Sequence, residues 1–145
     1  MIFRTATRED LPAVLALLAD EGQEPAALGE ARERAFADIE ADPRNELLVL
    51  TDGDEVLGCL QLTYIPGLGQ GGRERALVEA VRIRADRRGG GLGAKLMELA
   101  VERARERGCG LVQLTSNKRR ADAHRFYERL GFARSHEGFK LALTR

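Results

Sequence analysis

The sequence predicts a single α/β domain of the α+β kind, in which helices flank a mixed, mostly antiparallel central sheet. Three observations carry this expectation. The chain has 145 residues, and domains run to roughly 100–200 residues each. Apolar residues recur at helical spacing in some stretches and at strand spacing in others, in the order α-α-β-β-β-α-β-α-β. Two of the strand-like runs are joined directly by Asp52-Gly53-Asp54, a hairpin signal that makes antiparallel neighbours.

The elements are read in order as follows. Residues 7–19 carry an apolar stripe of Leu11, Val14, Leu15 and Leu18, with Thr7 at the N-cap and Asp10 three residues on. Gly22 and Pro25 end that helix. Residues 29–41 form a second helix, stopped before Asp42-Pro43. Residues 46–51 and 55–64 form the hairpin. A glycine-rich loop follows from Pro66 to Gly72, and residues 75–84 alternate with Leu77, Glu79, Val81 and Ile83 on one face. Residues 85–93 form a basic glycine turn. Residues 92–107 form a helix turned inward by Leu92, Leu96, Leu99 and Ala100 and ended by Gly108. A strand at 111–116, a helix at 121–130 stopped by Gly131, and two short strands within 132–143 complete the chain.

Composition narrows the function. Hydrophobic residues make up 43% and charged residues 32%, the profile of a globular chain. No apolar run approaches the ~18 residues of a membrane span, and the N-terminus lacks the apolar core of a signal peptide. A cytoplasmic location is expected, with no membrane partner. Cys59 and Cys109 fit no disulfide or metal spacing and are read as buried thiols. Two histidines, His124 and His136, make no zinc site, and no metal is expected. Net charge is zero, yet residues 1–60 carry −9 and residues 61–145 carry +9, nearly all of the bases being arginine. The positive half suits an anionic ligand, and the two halves also attract one another. Seven scattered aromatic residues, without tryptophan, offer no stacking platform for nucleic acid.

The strongest local signal is Arg88-Gly89-Gly90-Gly91-Leu92-Gly93, set between a predicted strand and a predicted helix. Consecutive glycines let backbone N–H groups converge on one hollow. The helix that follows adds unpaired N–H groups and a partial positive charge. Arg87 and Arg88 add charge at the rim. This arrangement suits a pyrophosphate. A Walker A loop is excluded, because Leu96 stands where Lys95 would need a following hydroxyl. A dinucleotide fingerprint matches Gly89, Gly91 and Ala94, but the next strand ends in Thr115-Ser116-Asn117, without the acid that binds ribose.

Arg88, Gly91 and Gly93 resemble the acyl-coenzyme A signature of the GCN5-related N-acetyltransferase (GNAT) superfamily, and Val81-Arg82-Ile83 resembles its preceding strand. A second block, Leu114 to Asn117, Ala123-His124-Arg125-Phe126-Tyr127-Glu128 and Leu130-Gly131-Phe132, is similar to the family's late strand, tyrosine helix and closing Gly-Phe. With Ser135-His136, it also looks like the bacterial branch that contains aminoalkylphosphonate N-acetyltransferases. The resemblance spans nearly the whole chain. It implies a sheet splayed between the strands at 75–84 and 111–116, with acetyl-CoA in the cleft and an amine as acceptor. It also implies that the backbone of Val81, Arg82 and Ile83 meets the pantetheine arm and the oxyanion. Arg88, Gly89, Gly90, Gly91, Leu92, Gly93 and Ala94 hold the pyrophosphate, and Asn117 and Tyr127 complete the cofactor contacts.

Acetyl transfer needs a neutral amine, a donor for the oxyanion and an acid for the leaving thiolate. Tyr127, on a stripe with Ala123, Phe126 and Leu130, is the candidate acid. Glu79, expected on an inward apolar face where burial favours proton uptake, is the candidate base, with ordered water as the alternative. Asn117 either contacts pantetheine or caps the next helix. His124 either shuttles protons or caps. The acceptor side is assigned to residues 20–35 and the 66–72 loop. The acidic helices suit a cationic amine, while Arg73 and Arg75 suit a phosphonate or carboxylate tail. A small primary amine is the first expectation. A protein lysine or N-terminus, or an acyl-CoA-binding module without turnover, is the alternative, and a homodimer is left open.

Overall fold

In the computed structural model, residues 1–20 and 26–144 are described. The break expected at Gly22 and Pro25 lies outside them. Two compact units result, Met1–Leu114 and Thr115–Arg145. Among the described residues, no helix is long and apolar enough to cross a membrane.

The first unit holds a five-stranded sheet: β1 (Ile2–Thr5), β2 (Asn45–Asp52), β3 (Glu55–Ile65), β4 (Arg75–Ile83) and β5 (Leu111–Leu114), adjacent in that order. The first three pairings are antiparallel, and β4–β5 is parallel. The helices are α1 (Leu11–Ala19), α2 (Gly29–Ala41) and α3 (Leu92–Arg107). The mixed, mostly antiparallel sheet expected from the sequence is therefore present. Strand β1 is absent from the sequence reading, because four residues are too few for a periodicity to show.

Entry into α1 is fixed by Asp10. Its carboxylate accepts the Thr7 N–H at 2.7 Å and receives both Arg4 nitrogens, at 2.7 and 3.0 Å. A short 3-10 turn at Arg8–Asp10 precedes the α-helix, so α1 starts at Leu11 instead of following directly on Thr7. The Arg4 guanidinium holds the buried Asp10 carboxyl below the usual carboxylate range against the opposing effect of burial.

The two sheet faces carry different helices. Cys59 packs with Ala6, Val14, Leu17 and Val49, so from Gly58 onward the odd-numbered β3 residues face α1; a register shift at Leu57 puts Val56 on that face too. From Gly58 onward the even-numbered residues face α3: Gly58 lies against Leu96, and the Tyr64 hydroxyl donates to Glu46, which also holds Arg103 of α3. A Cβ at Gly58 would lie 2.8 Å from the Arg82 carbonyl oxygen, so only glycine fits there. Leu48, Leu50, Leu57, Leu60 and Leu62 are fully buried; truncating any one to alanine costs about 2–5 kcal/mol. On α3 the buried set is Leu92, Leu96, Met97, Ala100 and Ala104, with Leu99 only half-buried. Cys59 is buried as expected, whereas Cys109 is half-buried.

Strand β4 departs from the expected alternation. Ala76 and Val78 are its buried side chains, and Glu79 is exposed. The inward apolar face predicted for Leu77, Glu79, Val81 and Ile83 is thus corrected. A bulge beyond Glu79 then divides the four positions, with Leu77 and Glu79 on one face and Ile83 on the other. Gln61 pairs with Glu79 but Cys59 pairs with Arg82, so Ala80 and Val81 together oppose the single residue Leu60. Ala80 takes φ +53°, the left-handed region that a bulge can impose on one residue.

The second unit contains α4 (Ala121–Arg129), ended by Gly131 at φ +100°. Tyr127 stacks edge-on with Phe126 and Phe132, at 5.1 and 6.0 Å between ring centroids. The two short strands expected within 132–143 are absent. Phe139, Leu141 and Leu143, at 91%, 86% and 90% exposure, keep the alternation of a strand. A strand forms only against a ladder partner, and none of these residues has one among the described residues.

Candidate functional site

The glycine turn stands between β4 and α3. Arg84 N–H donates to Leu57 O at 2.8 Å, a short 3-10 turn covers Ala85–Arg87, and Arg88 N–H still reaches Ala85 O at 3.5 Å. Beyond that point the ladder stops. The first helical bond of α3 is Lys95 N–H to Gly91 O, at 3.1 Å. Among the described residues, the amides of Gly89, Gly90, Gly91, Leu92, Gly93 and Ala94 donate to no protein group.

Six consecutive donors without protein acceptors are more than the four that every helix start leaves. Gly89 and Gly91 adopt φ +81° and +83°, and nothing lies within 4 Å of a Cβ built on either. The bare backbone therefore lines open space beside the positive end of a 16-residue helix. This arrangement can take a polyanion.

Arg88 serves the turn differently from what the sequence suggested. Its Nε donates to the Ile83 carbonyl at 3.2 Å, and its Nη2 meets the Asp20 carboxylate at 2.5 Å. It ties the turn to the end of β4 and to the residue after α1, and so is not a loose charge at the rim. Arg87 is half-buried.

The strand leading into the turn has an open edge. Pairing of β4 with β5 ends at Val78–Leu114, while β4 continues to Ile83. Because Arg84 bonds to Leu57, strand alternation turns Ile83's N–H and C=O away from β3 and Arg82's toward it. The Ile83 and Val81 carbonyls accordingly accept side-chain donors, Arg88 Nε and Arg82 Nη1, the second at 3.0 Å. The bulge that the sequence did not reveal lies beside this edge.

The remaining sequence candidates fall out as follows. Glu79 is exposed on β4, one residue before the bulge. Arg73 is exposed and Arg75 half-buried. In the second unit, Asn117 Oδ1 accepts the Arg119 N–H at 3.0 Å and so closes the turn before α4. His124 Nε2 lies 2.9 Å from the Asn117 carbonyl, which is the capping alternative for that histidine. Tyr127 is half-buried, and its own carbonyl accepts Phe132 N–H at 3.1 Å.

The sequence reading gave Arg82 a backbone contact with pantetheine and no role for its side chain. Its side chain has a buried Nε without a hydrogen-bond partner. It is the register partner of Cys59 and faces α1 with it. Burial pushes the Cys59 thiol up to about 12, with the Arg82 charge acting in the opposite sense. Nothing in the residue pattern signals a bulge at an Ala-Val pair, so the sequence places Arg82 on the wrong face.

Comparison with known proteins agrees with this geometry. Residues 11–132 match the Acetyltransferase (GNAT) family. The chain is 33% identical over 140 residues to the aminoalkylphosphonate N-acetyltransferase of Salmonella typhimurium, covering 97% of this chain and 90% of that protein. The crystal structure of a transcriptional regulator from Bacillus halodurans C-125 superposes with a TM-score of 0.94 at 44% identity, over 98% of this chain and 99% of that one. An acetyltransferase from Trypanosoma brucei gives 0.83 at 28% identity, over 98% and 99% of the two chains. With the family matched across the strand, the glycine turn and the tyrosine helix, the chain belongs to the GNAT family and is an acetyl-CoA-dependent N-acetyltransferase.

Proposed function

We propose that the protein transfers the acetyl group of acetyl-CoA directly to a primary amine of a small molecule. The observation that carries this reading is the run of unpartnered amides from Gly89 to Ala94, next to the open edge of β4. The amides take the CoA pyrophosphate. The outward N–H groups of Val81 and Ile83 serve the pantetheine arm and the thioester oxygen, where negative charge develops. Asn117 and Tyr127 add cofactor contacts.

The amine nitrogen attacks the thioester carbon to give a tetrahedral intermediate. The carbon–sulfur bond then breaks, and the amide product keeps the acetyl group. Glu79, or water bound to it, accepts the proton lost by the amine. Tyr127 gives its phenolic proton to the departing thiolate. The exposure of Glu79 suits exchange of that proton with solvent. The name of the Salmonella relative makes an aminoalkylphosphonate one acceptor to try first.

The test is release of free CoA thiol, with identification of the acetylated product, across a panel of small amines, amino acids and lysine or N-terminal peptides. Small-amine products at rates above those of every peptide support the reading. Turnover of peptides alone moves the acceptor to protein.

A further inference from the structure

The last stretch of the chain has the pattern of a strand and none of its pairing. Phe139, Leu141 and Leu143 fall on one face of an alternating run, and within the single chain they are 91%, 86% and 90% exposed. Helix α4, which precedes them, is amphipathic yet has no buried residue. An apolar stripe of this kind marks an interaction surface. Because the protomer itself leaves these side chains bare, their cover comes from outside it.

The sheet of the same chain ends in an edge of matching kind. Among the described residues, β5 is the last strand in the order and is paired on one side only, to β4. Leu111, Val112 and Leu114 are half-buried on it. In a chain with 32% charged residues, the nine residues from Cys109 to Asn117 include no charge and no proline. Natural edges are blunted by such residues, and this one is not. At the other end of the sheet, β1 carries Arg4 among its four residues. An unblunted edge accepts an added strand through main-chain hydrogen bonds, with side-chain contacts giving the selectivity.

We infer that the occupant is a second copy of this chain: the segment from Phe139 to Leu143 of each protomer adds as a strand to the open edge of β5 in the other, giving a twofold dimer. The exchange is reciprocal, so the bare strand and the bare edge of each chain are satisfied at once, whereas a foreign partner for one leaves the other open. The lengths agree, five residues against the four of β5. The charges agree as well: residues 115–145 hold eight bases and three acids, net +5, and residues 1–114 hold −5. The three apolar side chains bring roughly 400 Å² per chain. With matching surface opposite them, two such contacts bury roughly 1,600 Å², the size of a standard stable interface. The inference is independent of the acetyltransferase chemistry.

Two measurements test it. In the first, sedimentation velocity is recorded over a dilution series. The wild type should sediment at twice the chain mass and dissociate on dilution. The double variant Phe139→Asp/Leu141→Asp should raise the dissociation constant about tenfold or more. Ile2→Asp, on the opposite edge of the sheet, should leave it unchanged. A wild type that is monomeric throughout, or a double variant that dimerises like the wild type, overturns the inference. Dissociation by Ile2→Asp and not by the double variant moves the contact to β1 and also overturns it.

The second measurement needs no variant and so does not depend on one folding. Hydrogen exchange of the wild type is followed by mass spectrometry across the same dilution series. Amides in 111–114 and in 139–143 should gain protection together as the dimer forms. Protection of 139–143 that is equal at every concentration means a partner within the chain, and a dimer in which both segments stay unprotected means another interface. Either result overturns the inference.

Discussion

Arg88 on the glycine turn and Asp20 just beyond α1 are joined by a 2.5 Å ion pair, and the same guanidinium holds the Ile83 carbonyl. One side chain thus ties together the end of the first helix, the last residue of β4 and the start of the anion-binding turn. Both partners are substantially exposed, at 47% and 35% of the side chain. Pairs of this kind contribute little to global stability, about 0–1 kcal/mol. The role of this pair is to position the turn.

Asp20→Asn is therefore expected to leave the urea midpoint almost unchanged while raising KM for acetyl-CoA about 3- to 10-fold. Steady-state kinetics beside a denaturation curve checks this. Equal losses in stability and in KM would show that the pair acts on the whole fold.

Gly91 caps α3 at φ +83° over open space. Gly91→Ala has room for its methyl group but strains the backbone, costing about 1–2 kcal/mol. Gly91→Glu adds a carboxylate to the surface proposed for pyrophosphate. Calorimetric titration with acetyl-CoA should show no measurable binding for Gly91→Glu, with circular dichroism still native. Unchanged affinity would place the diphosphate elsewhere.

The Tyr127 ring packs edge-on against the rings of Phe126 and Phe132. Tyr127→Phe keeps those contacts and removes the phenolic proton. Turnover should drop roughly 10²- to 10⁴-fold, the usual worth of a general acid. Acetyl-CoA affinity should change far less. Parallel losses in both would mark the tyrosine as structural.

Glu79→Gln should flatten the acidic limb of the kcat/KM profile against pH, since the glutamine cannot take up the amine's proton. A profile identical to that of the wild type removes Glu79 as the base and leaves the proton to water.

Asp10 links Arg4 of β1, the Thr7 amide and the start of α1. Its carboxyl is held below its ordinary value in the folded state, chiefly by Arg4. The sign follows from linkage. A lowered folded value means that the contribution is fully present above the unfolded carboxyl range, near pH 4, and is lost as pH falls below it. Asp10→Asn should be less stable than the wild type at pH 7 by about 1–2 kcal/mol. The two proteins should converge as the pH drops toward 2. Urea midpoints measured across that range decide it, and a constant gap would show that the charge of Asp10 is irrelevant.

The sequence determined the things that depend on near neighbours. Apolar spacing located α2, α3, α4 and the β2–β3 hairpin to within a residue or two, because helix and strand periods are written locally. The glycine turn was legible for the same reason, as Gly89 and Gly91 take backbone angles that side chains disfavour. What spans several strands was decided only by the tertiary structure. The bulge at Ala80-Val81 depends on how β4 meets β3, and it placed Arg82 beside Cys59 and set Ile83 on the face opposite to Glu79. The tether from Arg88 to Asp20 joins residues 68 positions apart, and no local pattern announces such a partner. The C-terminal alternation predicted strands that did not form, because a strand needs the hydrogen bonds of a neighbour and its own sequence cannot supply them.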